Sequence, residues 1–128
     1  MHDIEKRWEE HMRCEFELRD VKATMATMAD HPFVNHIPTM TGGYGYEEVY
    51  QFYKNHFIPS IPADANVRSI SRIVGKDKLV DELVLSFTHD REIDFMLPGI
   101  PPTHKHVELA HIVIVYFKEQ KVLGEHIY

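Results

Sequence analysis

The chain has 128 residues and a formal net charge of −6, with 44% hydrophobic and 27% charged residues. This length and balance are typical of one globular domain over residues 1–128, and they exclude disordered and fibrous chains. The excess of 20 acidic over 14 basic residues argues against a nucleic-acid partner, whose phosphates need clustered lysine and arginine.

The sequence also bears on the compartment and on membranes. The one cysteine, Cys14, cannot form a disulfide within the chain, and no signal-peptide pattern opens the sequence. The longest apolar run, residues 112–117, is far shorter than the roughly 20 residues that cross a bilayer. We therefore expect a cytoplasmic protein without a membrane partner.

The first predicted element is a long amphipathic helix over residues 3–30. Apolar side chains recur in it at intervals of three and four residues. Asp3 is the expected N-cap, and Asp30–His31–Pro32 should end the helix because the residue before proline avoids helical backbone angles. Trp8 and His11 lie on this helix. Since His11 extends the apolar stripe, its ring should either leave the core or face a cavity.

A short strand-like run over residues 33–40 leads through a glycine-rich bend to a second helix. This helix is predicted over residues 46–57, and Pro59 and Pro62 should stop it. The bend over residues 41–45 lacks the Lys-Ser/Thr pair of a phosphate-binding loop. We interpret it as a turn between a strand and a helix.

From residue 67 onward the apolar pattern has a period of two. It predicts strands over residues 67–75, 79–89, 106–117 and 122–128. Turn-forming residues join the first two strands and predict an antiparallel pair. Helices followed by a run of strands indicate an α+β fold, with helices on one face of a curved antiparallel sheet.

Several of these segments resemble the SnoaL-like polyketide cyclases of the nuclear transport factor 2-like superfamily. The similarity spans nearly the whole chain and rests on TGGYGYEEVYQFY at 41–53, FTHD at 87–90, LPGIPPTHKHV at 97–107 and the strands over 112–128. It implies a cone in which a bent sheet wraps around helices and a pocket opens between them. It also implies a hydrophobic small-molecule partner and a homodimer formed through the sheet. Relatives close rings by aldol condensation, dehydrate, isomerise, hydrolyse or only bind, and we expect no cofactor.

Two positions depart from the family pattern. The cyclases place an acidic general base on the last strand, a few residues beyond the position that matches Tyr128. The domain therefore looks shortened at its C-terminus, and either the sequence is truncated or the acid is absent, with Asp94 as a candidate replacement. His104 stands where relatives often carry glycine, which adds an imidazole near the expected mouth of the pocket.

The candidate catalysts follow from strand alternation. Proton transfer beside a carbonyl needs a base that titrates near neutrality and a donor for the oxyanion, roles that histidine, tyrosine and carboxylates fill. His89 ends an apolar row that should look into the cone. Because alternate residues of a strand face the same side of the sheet, His126 and Tyr128 should point inward with Val122. Glu125 should point outward unless a bulge intervenes. We therefore predict His89 and His126 as catalytic residues; the alternative for His89 is a hydrogen-bonded rim position.

A second group is predicted to bind the substrate: Tyr116, Tyr128, His36, Trp8 and His104. Tyr116 matches a polar pocket position of the relatives, and its alternative is packing at the dimer face. His111 lies on a strand with two apolar faces and is interpreted as a satisfied interface histidine. The His104–Lys105–His106 segment offers too few ligands at defined spacing for a zinc site, so no metal is predicted.

These residues favour an enzyme of the cyclase, isomerase or dehydratase type. Histidine and tyrosine side chains would move protons on a hydrophobic carbonyl or lactone-like substrate. The alternative is a non-catalytic ligand-binding or dimeric assembly module that lacks the terminal acid. Hydrolysis by a serine or cysteine nucleophile is not expected, because the chain has no G-x-S-x-G motif and Cys14 lies on the helix stripe.

Overall fold

The computed structural model describes residues 3–128, and it divides the predicted N-terminal helix. Helix α1 spans Asp3–Arg13 and continues as a π-helical turn, Cys14–Leu18, before α2 at Val21–Ala26. The break comes at Arg19, whose φ of 52° is left-handed. Asp20 then caps α2 by accepting a hydrogen bond from the Ala23 N–H. The prediction of one helix over residues 3–30 was wrong, because a left-handed residue and a new cap interrupt an unbroken apolar period.

Residues that were predicted to end the helix lie in a strand instead, β1 at Met28–His36. The pairing of β1 with the last strand shifts register between Met28 and Phe33, and Pro32 lies inside this interval. A proline is tolerated at such a point because its missing N–H removes no ladder hydrogen bond. β1 also pairs antiparallel with the short β2, Thr41–Tyr44.

The second helical segment follows its predicted bounds closely. It consists of α3 at Tyr46–Phe52, a second π-helical turn at Tyr53–Phe57, and the short α4 at Ile58–Ser60. Its core-facing side chains, among them Val49, Phe52 and Tyr53, are buried. Among residues 3–128, no helix is long and apolar enough to cross a membrane.

Six strands form one mixed sheet in the order β2–β1–β6–β5–β4–β3. The last four are β3 at Asn66–Val74, β4 at Lys78–Thr88, β5 at His106–Lys118 and β6 at Lys121–Ile127, close to their predictions. Neighbouring strands run antiparallel except β1 and β6, which are parallel. The expectation of a purely antiparallel sheet was wrong. A parallel pair needs a long connection, and most of the chain separates β1 from β6.

The helices pack on one face of the curved sheet, and the core lies between the two layers. Alternate residues of β4 and β5, such as Leu83 and Val113, supply the sheet side of this core. Trp8 ties α1 to the middle of β4, since its Nε1–H donates to Asp81 Oδ2 at 2.9 Å. The predicted α+β architecture, a sheet wrapped around helices, is confirmed.

Candidate active site

A cavity of about 60 Å³ lies between the helices and the sheet. Aromatic and aliphatic side chains form most of its wall. The polar residues that line it are Glu15, His36, Tyr53, His111 and Glu125. In an otherwise apolar wall, these few groups are the ones that can orient a ligand or react with it.

Four buried polar side chains meet in one cluster: His11, Glu15, Tyr53 and Glu125. Nε2 of His11 lies 3.1 Å from Glu125 Oε2 and 3.3 Å from Glu15 Oε2. The Tyr53 hydroxyl donates to Glu15 Oε2 at 2.6 Å and lies 3.2 Å from Glu125 Oε2. None of the four residues is more than 4% exposed. Their charges therefore interact in a medium of low dielectric constant.

Three parts of the fold bring the cluster together. His11 and Glu15 are four residues apart and share one face of α1 and the π-helical turn that follows it. Tyr53 is the first residue of the second π-helical turn. Glu125 comes from β6, across the cavity. Both helical contributions include π-helical turns, which occur frequently at functional sites.

Glu125 faces the cavity because β6 contains a β-bulge. Gly124 pairs with Tyr116 while Val122 pairs with Phe117, so Leu123 is an extra residue in β6. Val122 and Glu125 consequently both point inward and are buried. The sequence predicted Glu125 to point outward unless a bulge intervenes, and the bulge at Leu123 is the exception that turns it to the cavity.

A hydrogen-bond chain behind His11 fixes a proton on Nδ1. Thr27 Oγ1 lies 2.6 Å from this nitrogen and gives its own proton to the Thr24 carbonyl, so it accepts from the imidazole. Burial alone would lower the pKa of His11, but the charges of Glu15 and Glu125 outweigh burial and raise it to about 10. His11 is therefore an imidazolium ion at neutral pH.

Glu125 has the properties of a general base. Burial, and next the charge of Glu15, raise its pKa above that of an ordinary glutamate, against the opposing effect of His11. A carboxylate with a raised pKa suits proton abstraction near neutral pH. His11 donates to Oε2 of Glu125, and the Tyr53 hydroxyl, whose proton goes to Glu15, also lies beside this oxygen, which leaves Oε1 for a ligand. Burial and the two carboxylates also raise the pKa of Tyr53 well above its usual value, so its hydroxyl keeps its proton.

Two further histidines line the cavity in their neutral form. Burial lowers the pKa of His36 to about 4 and also lowers that of His111. Nδ1 of His36 is buried and has no hydrogen-bond partner among residues 3–128. His111 Nδ1 instead lies 3.0 Å from the Tyr128 carbonyl.

Two of the seven predicted site residues, Trp8 and His36, line the cavity. His126 and Tyr116 lie together on the outer face of the sheet, with the Tyr116 hydroxyl 3.3 Å from His126 Nδ1. The expectation that His126 points inward was wrong, since the bulge at Leu123 reverses its direction. Tyr128 is 48% exposed and does not line the cavity.

His89 is buried, as its position in an apolar row predicted, but it does not line the cavity. It holds the 97–105 loop instead: the Thr103 N–H donates to His89 Nδ1 at 3.3 Å, and the His104 N–H donates to the His89 carbonyl at 2.8 Å. The His104 side chain is exposed. Asp94, the candidate replacement acid, is half exposed and lies 2.8 Å from His56 on the surface.

Sequence reasoning missed three members of the cluster, Glu15, Tyr53 and Glu125. Glu15 had a usable signal, because a carboxylate four residues after His11 on a buried stripe needs a partner. Tyr53 resembles any core aromatic residue at helical spacing. Glu125 could not be found without knowledge of the bulge.

The cluster also has donor atoms that suit a metal ion. Among residues 3–128, His11, Glu15 and Glu125 place one ligand atom each within 4.8 Å of one another. A mixed set of imidazole and carboxylate ligands suits several divalent ions. To bind one, the three side chains would have to give up the hydrogen bonds that join them.

Solved structures of other proteins share this architecture. A nuclear transport factor 2-like protein of unknown function from Burkholderia pseudomallei has a TM-score of 0.74 at 14% identity, with 100% of this chain and 91% of that protein covered. A predicted SnoaL-like polyketide cyclase from Jannaschia sp. has a TM-score of 0.72 at 16% identity, with 97% and 85% covered. SalBIII, an epoxide hydrolase/cyclase-like enzyme in pyran ring formation of the polyether salinomycin, has a TM-score of 0.72 at 12% identity, with 98% and 88% covered. No protein-family model and no curated protein matches the chain.

Proposed function

Because the chain has the nuclear transport factor 2-like fold, we propose that it is an enzyme of the cyclase or isomerase type. It moves a proton on a small hydrophobic substrate that carries a carbonyl or lactone group. The observation that carries this proposal is Glu125, a buried carboxylate with a raised pKa beside an apolar cavity. The similarity to SalBIII and to the Jannaschia protein agrees with this class of reaction and is limited to the fold.

In the proposed mechanism Glu125 is the general base. Its Oε1 removes a proton from the carbon next to the carbonyl, and the C–H electron pair forms an enolate. If the substrate carries a β,γ double bond, the enolate is a dienolate, and the protonated Glu125 can return the proton to its γ carbon, which shifts the double bond into conjugation with the carbonyl. Alternatively, the enolate carbon attacks a second carbonyl and closes a ring, and the new alkoxide takes the proton. Both outcomes balance without an oxidant or a reductant.

The other polar groups hold the base and bind the substrate. His11 and Tyr53 fix the carboxylate of Glu125 through Oε2. His36 is proposed to bind the carbonyl oxygen, because a neutral imidazole N–H in a water-poor cavity stabilises an enolate oxygen. Trp8 contributes apolar wall and stacks on His11, with ring centroids 5.6 Å apart. His36 and Trp8 thus keep the binding roles predicted for them from the sequence.

The proposal can be tested by deuterium exchange beside a carbonyl, which does not require the natural substrate. The protein is incubated in D2O with 2-butanone or γ-butyrolactone, which are small compounds with exchangeable α-protons, and loss of the α-proton signal is followed by NMR. We expect exchange above the rate in buffer. Glu125→Gln should reduce the protein-dependent rate by a factor on the order of 100 to 10,000, because it removes a general base.

Glu92→Gln is the matched control, because Glu92 is an exposed glutamate that does not line the cavity. Absence of exchange, or equal rates in Glu125→Gln and the wild type, would contradict the proposal. Binding of either compound without exchange would identify a non-catalytic binding module instead.

A further inference from the structure

We propose that ligands reach the cavity from a surface groove through a gate formed by Met12, Phe16 and Val67. We further propose that the ligand is elongated: its apolar, carbonyl-bearing end occupies the cavity, and an uncharged polar remainder lies in the groove. This second statement rests on the proposed function. The gate itself rests only on the geometry of the two spaces.

The size of the cavity is the first argument. At about 60 Å³ it is smaller than the roughly 150 Å³ of a buried cavity known to take up benzene. A substrate that closes a ring carries two reacting groups and the atoms between them, which exceeds this space. Part of such a ligand must therefore lie outside the cavity.

A groove of about 560 Å³ lies between α1 and β3, directly outside the cavity. Met12, Phe16 and Val67 line the cavity and the groove alike. All three side chains are partly exposed. They therefore form the partition between the two spaces.

This partition is built from groups that can move. Met12 has an unbranched and flexible side chain. Phe16 lies in the π-helical turn Cys14–Leu18, a rare backbone form that occurs frequently at functional sites. Phe16 also follows Glu15 directly, so a displacement of the turn would shift the carboxylate that accepts from Tyr53. Opening of the gate is thereby coupled to the geometry of the cluster.

The charges of the groove determine which ligand groups suit it. It is lined by three basic and three acidic residues: Lys6, Arg13, Arg72, Glu9, Glu10 and Glu17. Arg13 lies 3.1 Å from Glu10, and Arg72 lies 2.8 Å from Glu9. Paired charges offer hydrogen-bond donors and acceptors with little net charge, which favours hydroxyl, ether or amide groups over an ion.

Quenching of Trp8 fluorescence by acrylamide, a small neutral amide, tests the gate. Trp8 is the only tryptophan, is 2% exposed, and lines the cavity but not the groove. Met12→Ala should raise the bimolecular quenching constant several-fold, and Val67→Phe should lower it. Met96→Ala is the matched control, because Met96 is a partly exposed methionine on a different part of the same cavity wall. If Met96→Ala raised the quenching constant as much as Met12→Ala or more, the proposed gate would be contradicted.

Three ketones of equal chain length test the ligand class: octan-2-one, 8-hydroxyoctan-2-one and 7-oxooctanoate. Each is titrated against the wild type, with Trp8 fluorescence as the readout. We expect the hydroxyl compound to bind several-fold more tightly than the other two, and Val67→Phe to weaken its binding. Tightest binding of the carboxylate or of the unsubstituted ketone would overturn the stated class. The quenching experiment tests the gate, and the deuterium exchange of Glu125→Gln tests the proposed function. Unchanged exchange in Glu125→Gln would contradict the proposed function and would leave the gate standing.

Discussion

His36 is the single residue whose chemistry depends most clearly on burial. It is 6% exposed and packs between the rings of Phe52 and Phe95. Burial lowers its pKa to about 4, whereas a histidine in an unfolded chain titrates near pH 6.5. Because the folded pKa is the lower one, its contribution to stability is complete above pH 6.5 and is lost as the pH falls through 4.

His36→Phe should therefore remove part of the acid sensitivity of the fold. Between pH 7 and pH 4 the wild type should lose about 3 kcal/mol more of its unfolding free energy than the variant, because a proton binds the unfolded histidine first. Urea unfolding at the two pH values measures this difference. The raised pKa of Glu125 acts in the opposite direction, but in both proteins.

His56→Phe is the control for this measurement, because the His56 side chain is 49% exposed. This variant should show the same change in unfolding free energy between pH 7 and pH 4 as the wild type. If His36→Phe also kept that dependence, the neutral state of His36 would not contribute to stability.

At the scale of elements, β6 shows which part of the structure the sequence could predict. The period of two located β3 to β6 closely, since it reports which residues alternate between core and surface. It could not report the bulge, because Leu123 is an ordinary strand residue and the adjacent Gly124 is the only local hint. The left-handed backbone at Arg19 could not be predicted for a similar reason, since no glycine marks the end of the first helix. The sheet was therefore predictable, and the side chain that faces the cavity was not.

Gly124→Ala should disturb the bulge that points Glu125 inward. A Cβ at this position would lie 2.4 Å from ring carbons of Phe33, which packs over the glycine. We expect a loss of about 1–3 kcal/mol in unfolding free energy, the usual cost of overpacking, measured by urea unfolding. Phe33→Leu in the same chain should restore part of it by clearing the space. If the unfolding free energy did not recover, the backbone conformation rather than the Phe33 ring would explain why residue 124 is a glycine.

At the scale of the whole molecule, the outer face of the sheet carries exposed apolar side chains. Ile73 is 72% exposed and Ile112 is 40% exposed. Ile73 pairs with Val80 on β4, and Val80 pairs with Ile114 on β5, so these side chains belong to one continuous strip. A strip of this kind favours protein contact. The homodimer predicted from the sequence would pair two copies through this strip.

Ile112→Lys should dissociate this dimer, because each interface would then bury two lysine side chains without partners. Sedimentation equilibrium measures the mass of wild type and variant at the same concentrations. Gln51→Lys adds the same charge on an exposed position of α3, away from the sheet, and should leave the mass unchanged. A monomeric wild type would contradict the proposed pairing.

The bulge at Leu123, rather than the length of β6, decides which of two neighbouring side chains the cavity receives. If Leu123 were paired as a regular strand residue, simple alternation from Val122 would turn Glu125 and Ile127 to the outer face and His126 to the cavity. Deletion of Leu123 would instead remove the extra residue and leave Glu125 facing the cavity. In a fold that hosts many chemistries, a substitution that abolishes a bulge at constant strand length is thus a short mutational route from one kind of catalyst to another.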